Sequence, residues 1–455
     1  MPRIVKREQG RVFIWPGFRF NAPINRIYLW AAVVMAFTSE QLRTYLPAVS
    51  SPSAIWWVGF SGGLDSMVLL HALAQLHLPV QVRALHINHQ ISPNADAWQM
   101  QCADFCARHS IPFHAEKVRV ENAGKGIEDA ARAVRYSVFE KNLAPHDFLL
   151  TAHHANDQAE TLLLRLMRGT GPRGLAAMAS VRALGAGLLV RPLLHFSRAD
   201  LEAYALTHQL NWVNDESNLD DNYDRNFLRN QVMPLLHRRW PEFKHKWQQT
   251  ADLCAQQETV MEEIACEDLV RAAPSAERIG QSIDLRTVLN LSHARQQNVL
   301  RYWLRLLNHT TPEQIHWQQI EQQIFGGRED AQPRVTWGNI ALQTYRQRLY
   351  ALPLQLPKME LQFELSAGNE KPRLKEGLSN MRIVYRTGGE RCKPAGRTHS
   401  QTLKKLLQEY ELEPWLRDQV PLVLSGDCIV AVGDLWVCAD YVAAEDETGY
   451  RLIWQ

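Results

Sequence analysis

The 455-residue chain is too long for one compact core, so two to four domains are expected. With 22% charged residues and a formal net charge of +2, no global field marks it as a polyanion binder, although charge can still be unevenly placed. Its seven cysteines include no Cys-x-x-Cys pair. That excludes a disulfide scaffold, a zinc knuckle and a redox pair, and it fits a reducing cytoplasm.

Arg3, Lys6, Arg7 and Arg11 precede an apolar run at 27–37, which mimics a signal peptide. The run is too short to cross a membrane, so no membrane partner is expected. Met35 is read as the natural start, with residues 1–34 a non-native or flexible extension. Thr38 would then cap the first helix. Strand-like and helix-like segments alternate from there: strands at 55–60, 80–87, 113–118 and 147–152, and helices after residue 66 and at 96–108, 127–142 and 156–168. Repeated βα units predict an α/β domain, 35–242, with a parallel sheet covered on both faces. Ligands in such sheets bind beyond the carboxyl ends of the strands, which makes the loops after Phe60 and Ala152 neighbours. Cys102 and Cys106, one helical turn apart, read as buried apolar residues.

A mainly helical middle domain, 243–356, follows, with helical stretches at 294–307 and 313–325 and a strand-like end at 331–354. Pro353 and Pro357 suggest a linker to a small α+β unit, 357–455. This unit carries the one clear charge asymmetry: ten Lys and Arg between Lys371 and Lys405, against Glu376 and Glu390. Clustered cations of this kind suit RNA phosphates, and Lys393, Arg397, Lys404 and Lys405 are the candidates. A solvated basic face is the alternative.

The most specific chemistry lies at Ser61-Gly62-Gly63-Leu64-Asp65-Ser66, between a buried strand and an amphipathic helix. Such a joint offers unpaired amides at the positive end of a helix, which suits a phosphate. Gly62 and Gly63 allow close approach, Ser61 and Ser66 add hydroxyl donors, and Asp65 could hold a divalent cation. The Lys-Ser/Thr ending of a Walker A loop is missing. A second constellation, His153, Asp157 and Glu160, stands at i, i+4 and i+7 and shares one face if its helix starts early. It could cradle a metal or an amino group; helix capping by the two acids is the plainer reading. His86, Asn88 and His89 follow the second strand toward the same edge. Arg132 and Arg135 suit phosphate, or else a solvated helix face. Arg225 and Arg229, with Asp215, Asn218 and Asn226, read either as RNA or active-site contacts or as a local loop lock.

The 61–66 loop resembles the pyrophosphate loop of the N-type ATP pyrophosphatases. Three further blocks, 126–136, 151–178 and 212–236, resemble one branch of that superfamily, the tRNA(Ile)-lysidine synthetases. The resemblance implies a doubly wound parallel sheet and the cofactors ATP and Mg²⁺. It implies ligation of free L-lysine to C2 of the wobble cytidine of an isoleucine tRNA with anticodon CAU, through an adenylated tRNA, releasing AMP and pyrophosphate. Ser61, Gly62, Gly63, Leu64 and Ser66 would bind the pyrophosphate, Asp65 the Mg²⁺, and His86 would line the nucleotide pocket. Arg132, slightly favoured over Arg135, would touch the α-phosphate. His153, Asp157 and Glu160 would receive lysine, with His153 or a carboxylate as proton acceptor. Two rivals are a tRNA thiolase of the same superfamily and an ATP-dependent RNA-binding protein without catalysis. A homodimer is compatible with the sequence.

Overall fold

The computed structural model describes residues 37–49, 51, 53–120, 127–214, 216, 220–327, 332–367, 372–444 and 447–455. The Met35 start, the 1–34 extension, Asp215, Asn218 and Lys371 lie outside them. The chain divides into two compact units at Met261/Glu262. Among the described residues no helix is long and apolar enough to cross a membrane.

The first unit opens with helix α1 (Ser39–Arg43), capped by a box in which Thr38 and Gln41 bond each other's backbone. Then come β1 (Ile55–Gly59), α2 (Leu64–Gln75), β2 (Gln81–Asn88), α3 (Ala95–Arg108), β3 (Phe113–Lys117), α4 (Ile127–Asn142), β4 (Phe148–Leu150) and α5 (Ala155–Met167). A short helix, α6 (Pro172–Leu175), leads to a hairpin, β5 (Val181–Leu184) and β6 (Gly187–Val190), and then α7 (Arg198–Thr207). The sheet order is β3-β2-β1-β4-β6-β5, parallel except for the edge strand β5. The alternation read from sequence is therefore the alternation observed. The hairpin is the addition: strands of four residues, one of them mostly exposed, carry little periodic signal.

Side chains alternate across β1. Trp56 and Val58 enter a core with Met67, Leu70, Phe105 and Tyr204, while Trp57 faces Phe139, Leu143 and Leu189 on the other side. Both faces are thus covered, and winding reverses between β1 and β4. That crevice holds the loops at 60–66 and 151–157. The unit continues through α8 (Asp224–Phe227), a π-helical turn (Leu228–Val232), α9 (Met233–Arg239) and the start of α10 (Phe243–Arg271).

The second unit contains a five-stranded antiparallel sheet built from residues 275–353, packed against the helix His293–Leu306. It also holds a three-stranded sheet (Leu361–Ser366, Gly449–Trp454, Leu374–Lys375) and a four-stranded sheet that includes Met381–Tyr385 and Pro421–Ser425. Ala341, Tyr350 and Leu352 share a core with Leu403, Leu406 and Leu407 of the helix Leu403–Glu409.

Candidate functional site

The joint between β1 and α2 is an open loop. Gly62 has φ of 83°, and a Cβ there would lie 2.7 Å from the Cys102 sulfur. Backbone handedness and the wall of α3 both require glycine. Gly63 caps α2 without a side-chain bond, so the first-turn amides keep no partner from a cap. Ser61 and Ser66 meet at 3.1 Å, and Ser66 Oγ donates to the Gly63 carbonyl at 3.0 Å, which shapes the turn. The Val213 N–H donates to the Gly62 carbonyl at 2.9 Å. The 212–214 segment therefore pins the loop from across the sequence, a role the linear pattern does not carry.

His86 is buried, and its Nδ1 donates to the Phe60 carbonyl at 2.8 Å, bracing the end of β1. Burial depresses its pKa, only partly offset by that bond. Beside it His89 falls to about 4, through burial and then the Arg135 charge. Arg135 thus lies on the β2 side of α4, whereas Arg132 approaches the β4 side, where it acts on His153.

Helix α5 begins at Ala155, so His153 lies before it and does not share the helical face of Asp157 and Glu160. The N-cap is His154, whose Nδ1 accepts from the Asp157 amide while Asp157 bonds the His154 amide at 3.0 Å. A one-residue difference in helix start moves the imidazole beside the acids from His153 to His154. The His154 ring lies between Asp157 (Nδ1–Oδ2 3.4 Å) and Asp65 (Nε2–Oδ1 3.5 Å). Burial opposes its charge, but Asp157, Asp65 and Glu160 outweigh burial and raise its pKa. His153 instead bonds Thr151 Oγ1 at 2.9 Å. Burial, with Arg191, Arg225 and Arg132, holds it at about 3 despite Asp157, so it is neutral at pH 7.

Asp157 and Glu160 are buried, and both are met by arginines from the 225–229 segment. Arg225 reaches Asp157 and Glu160 at 2.9 Å each; Arg229 reaches Glu160 at 2.8 Å and Asp157 at 3.2 Å. Burial would raise the pKa of Asp157, but His154, Arg225 and His153 hold it well below the usual carboxylate range. Arg225 and Arg229 are therefore contacts of the acidic pair. Asn226, bonded to the Asp220 carbonyl at 2.9 Å, supplies the local loop lock. The glycine-rich exit of α5 has a structural reason as well. Gln158 exchanges two bonds with the Met178 backbone, and Arg165 binds the Gly174 and Ala177 carbonyls.

Asp65 Oδ1 is buried and, within hydrogen-bond geometry, has no partner; the His154 contact at 3.5 Å is an ion-pair distance only. An open carboxylate oxygen beside free amides fits Mg²⁺, which is held by one or two carboxylates plus substrate phosphates. Among the described residues no group of three His, Cys, Asp or Glu could hold a metal by itself.

In the second unit the basic run is partly neutralised. Arg397 and Lys405 pair with Glu409 at 2.9 and 3.8 Å, Arg382 with Asp427 and Arg386 with Asp418. Arg373 is buried, with carbonyls of Ser366, Ala444 and Glu447 around it. Lys393 lines a cavity of about 740 Å³ with Arg382, Arg391 and Tyr385. Lys404 is exposed on the helix Leu403–Glu409.

Three family models match: a PP-loop domain at residues 37–236, a TilS substrate binding domain at 283–350 and a TilS substrate C-terminal domain at 381–454. The chain is 37% identical to the tRNA(Ile)-lysidine synthase of Coxiella burnetii, over 94% of this chain and 98% of that protein. It is 39% identical to that of Serratia proteamaculans, over 88% and 95% respectively, and 38% identical to that of Shigella flexneri over the same shares. Among solved structures, the U34-tRNA thiolase NcsA from Methanococcus maripaludis matches 48% of this chain and 78% of its own at 15% identity, with a TM-score of 0.40. The NH3-dependent NAD synthetase of Campylobacter jejuni reaches a TM-score of 0.27 at 15% identity, covering 48% and 93%. Both scores are too low to bear on function, and the fold class rests on the strand order and the PP-loop match. By its matched domains and its curated relatives, the chain belongs to the tRNA(Ile)-lysidine synthase family.

Proposed function

We propose that the chain joins free L-lysine to C2 of the wobble cytidine in an isoleucine tRNA with a CAU anticodon. ATP first adenylates the C2 oxygen and loses pyrophosphate; the ε-amine then attacks C2 and AMP leaves. The observation that carries this reading is the contact line Asp65–His154–Asp157, which joins the phosphate loop to the acidic pair at one sheet edge. The thiolase and binding-only alternatives lose ground to three matched family domains in the expected order.

In this reading Ser61, Gly62, Gly63, Leu64 and Ser66 hold the pyrophosphate, whose charge grows as the Pα–O bond breaks. Asp65 holds Mg²⁺, which neutralises phosphate charge when bound. Arg132, favoured over Arg135, faces the α-phosphate, and His86 fixes the strand end behind the nucleotide. Asp157 and Glu160 receive the lysine cation and set its reach. The attacking amine must lose a proton, since free lysine has a pKa near 10.4. His153, neutral and weakly basic, suits a relay that passes the proton on and does not store it. Lys393, Arg397, Lys404 and Lys405 serve tRNA, which must be told apart from the methionine tRNA that shares its anticodon.

The test is to incubate that tRNA with ATP and labelled lysine; label retained on RNA is the expected result, and none would refute the reading. For the site, Asp157→Asn should raise the lysine requirement far more than the ATP requirement. Equal effects would move Asp157 to the metal.

A further inference from the structure

Near the same sheet edge, two strands away from the phosphate loop, lies a second group of cations. Tyr136 of α4 stands between two guanidinium groups, with Arg132 Cζ 5.0 Å and Arg182 Cζ 5.1 Å from its ring centroid. Its hydroxyl meets Arg132 at 3.4 Å, and the charges of Arg191 and Arg182 also act on it. Arg191 follows β6 directly and is buried, 5% exposed; its Nη1 donates to the Ala179 carbonyl, yet its Nε has no hydrogen-bond partner. Among the described residues none of these three arginines has a carboxylate within ion-pair distance, in contrast to Arg225 and Arg229.

Three like charges gathered without an acid repel one another, and a buried guanidinium with an open donor is unfavourable. Burial should raise the pKa of Tyr136, but Arg132, Arg191 and Arg182 outweigh it and bring the phenol below its ordinary value, a measure of the local positive field. No carboxylate among the described residues cancels that field. Arg132 stands on the side facing the nucleotide, whereas Arg182 on β5 and Arg191 after β6 lie beyond β4 from the phosphate loop, in the order β1-β4-β6-β5. A single carboxylate would need one guanidinium. Here the charges run from buried Arg191 beside His153 to exposed Arg132 and Arg182, the latter on the edge strand. That extent matches a polyanion entering from outside toward the reacting pocket.

We propose that Tyr136, Arg182 and Arg191, with Arg132 beside them, form a phosphodiester-binding track for the RNA strand flanking the nucleotide that reacts. Tyr136 spaces the two exposed guanidinium planes by cation–π contact, and Arg191 anchors the inner end. This inference rests on the RNA substrate proposed above.

The test is tRNA binding by fluorescence anisotropy at several salt concentrations, for the wild type, Arg182→Gln and Tyr136→Leu, with ATP binding measured separately by calorimetry. Each lost phosphate contact should lower the salt slope by about 0.7, the value for a single strand. The tRNA affinity should fall several-fold at low salt, with ATP affinity held within about twofold. An unchanged slope, or an equal loss of ATP affinity, overturns the track. Phosphate-ethylation interference on the wild type needs no variant. Interference at phosphates flanking the wobble nucleotide is expected, and its absence there overturns the inference. If the wild type binds no tRNA, the functional reading falls with it; binding with an unaltered slope in both variants sinks the track alone.

Discussion

Gly62→Ala isolates what the phosphate loop demands of its backbone. At φ of 83° an alanine suffers the left-handed penalty of about 1–2 kcal/mol. Its Cβ also meets Cys102 Sγ at 2.7 Å, an overpacking conflict worth about 1–3 kcal/mol. The sum, about 2–5 kcal/mol, is a large part of the 5–15 kcal/mol that holds a typical domain. A domain of this size loses about 2–4 °C per kcal/mol, so the melting temperature should fall by roughly 4–20 °C. ATP affinity should fall by at least about tenfold, since a shift of 1.4 kcal/mol suffices. The decisive measurement is a double-mutant cycle with Cys102→Ala, followed by thermal melting and ATP calorimetry. Removing the sulfur relieves the clash but not the handedness, so the pair should recover about 1–3 kcal/mol relative to the sum of the singles. A coupling near zero would refute the geometry, because it would mean the loop does not press on α3 at that point.

Four further outcomes follow from other contacts. Val213→Pro removes the N–H that binds the Gly62 carbonyl and should weaken ATP binding about threefold to tenfold, read by calorimetry, without altering any loop residue. Buried His71, bonded to Tyr204 at 3.0 Å and with the His109 ring edge-on at 5.4 Å and the His208 ring tilted at 4.9 Å, has a pKa lowered to about 4 by burial and then by His208 and His109. The unfolded chain therefore binds the extra proton first: its contribution, up to about 3 kcal/mol, is intact above pH 6.5 and is lost as pH falls from 6.5 toward 4. Urea titrations at several pH values should show this slope flattened in His71→Gln. Arg373→Ala should lower the melting temperature of the second unit, because that side chain ties three backbone carbonyls together. Lys404→Ala should leave melting unchanged and weaken tRNA binding, by melting curves and anisotropy respectively.

The α/β unit was legible because helix and strand periods alternate cleanly from Ile55 to Met167, and strong apolar runs end at small residues. The turn between β1 and α2 was legible because an apolar strand, two glycines and two serines stand in one contiguous stretch. The acidic pair was legible too, but its surroundings were not. Whether His153 or His154 flanks Asp157 depends on a helix start that periodicity cannot fix to one residue. That Arg225 and Arg229 return to Asp157 and Glu160 from more than sixty residues away is a tertiary fact with no local signal. In the basic run, charge counting along the chain missed Glu409, Asp418 and Asp427, which the fold brings to Arg397, Arg386 and Arg382.

The arginine-clasped acids have one more consequence. Because each carboxylate already has a tethered guanidinium partner, an ammonium ion arriving as the proposed reaction requires would have to exchange with a resident cation, not settle into an empty well. Tethered groups compete at high effective concentration, so a lone monovalent cation from solution is a poor competitor. An amino acid that brings further contacts of its own could still prevail, and under the proposed function the swap would then filter against stray amines.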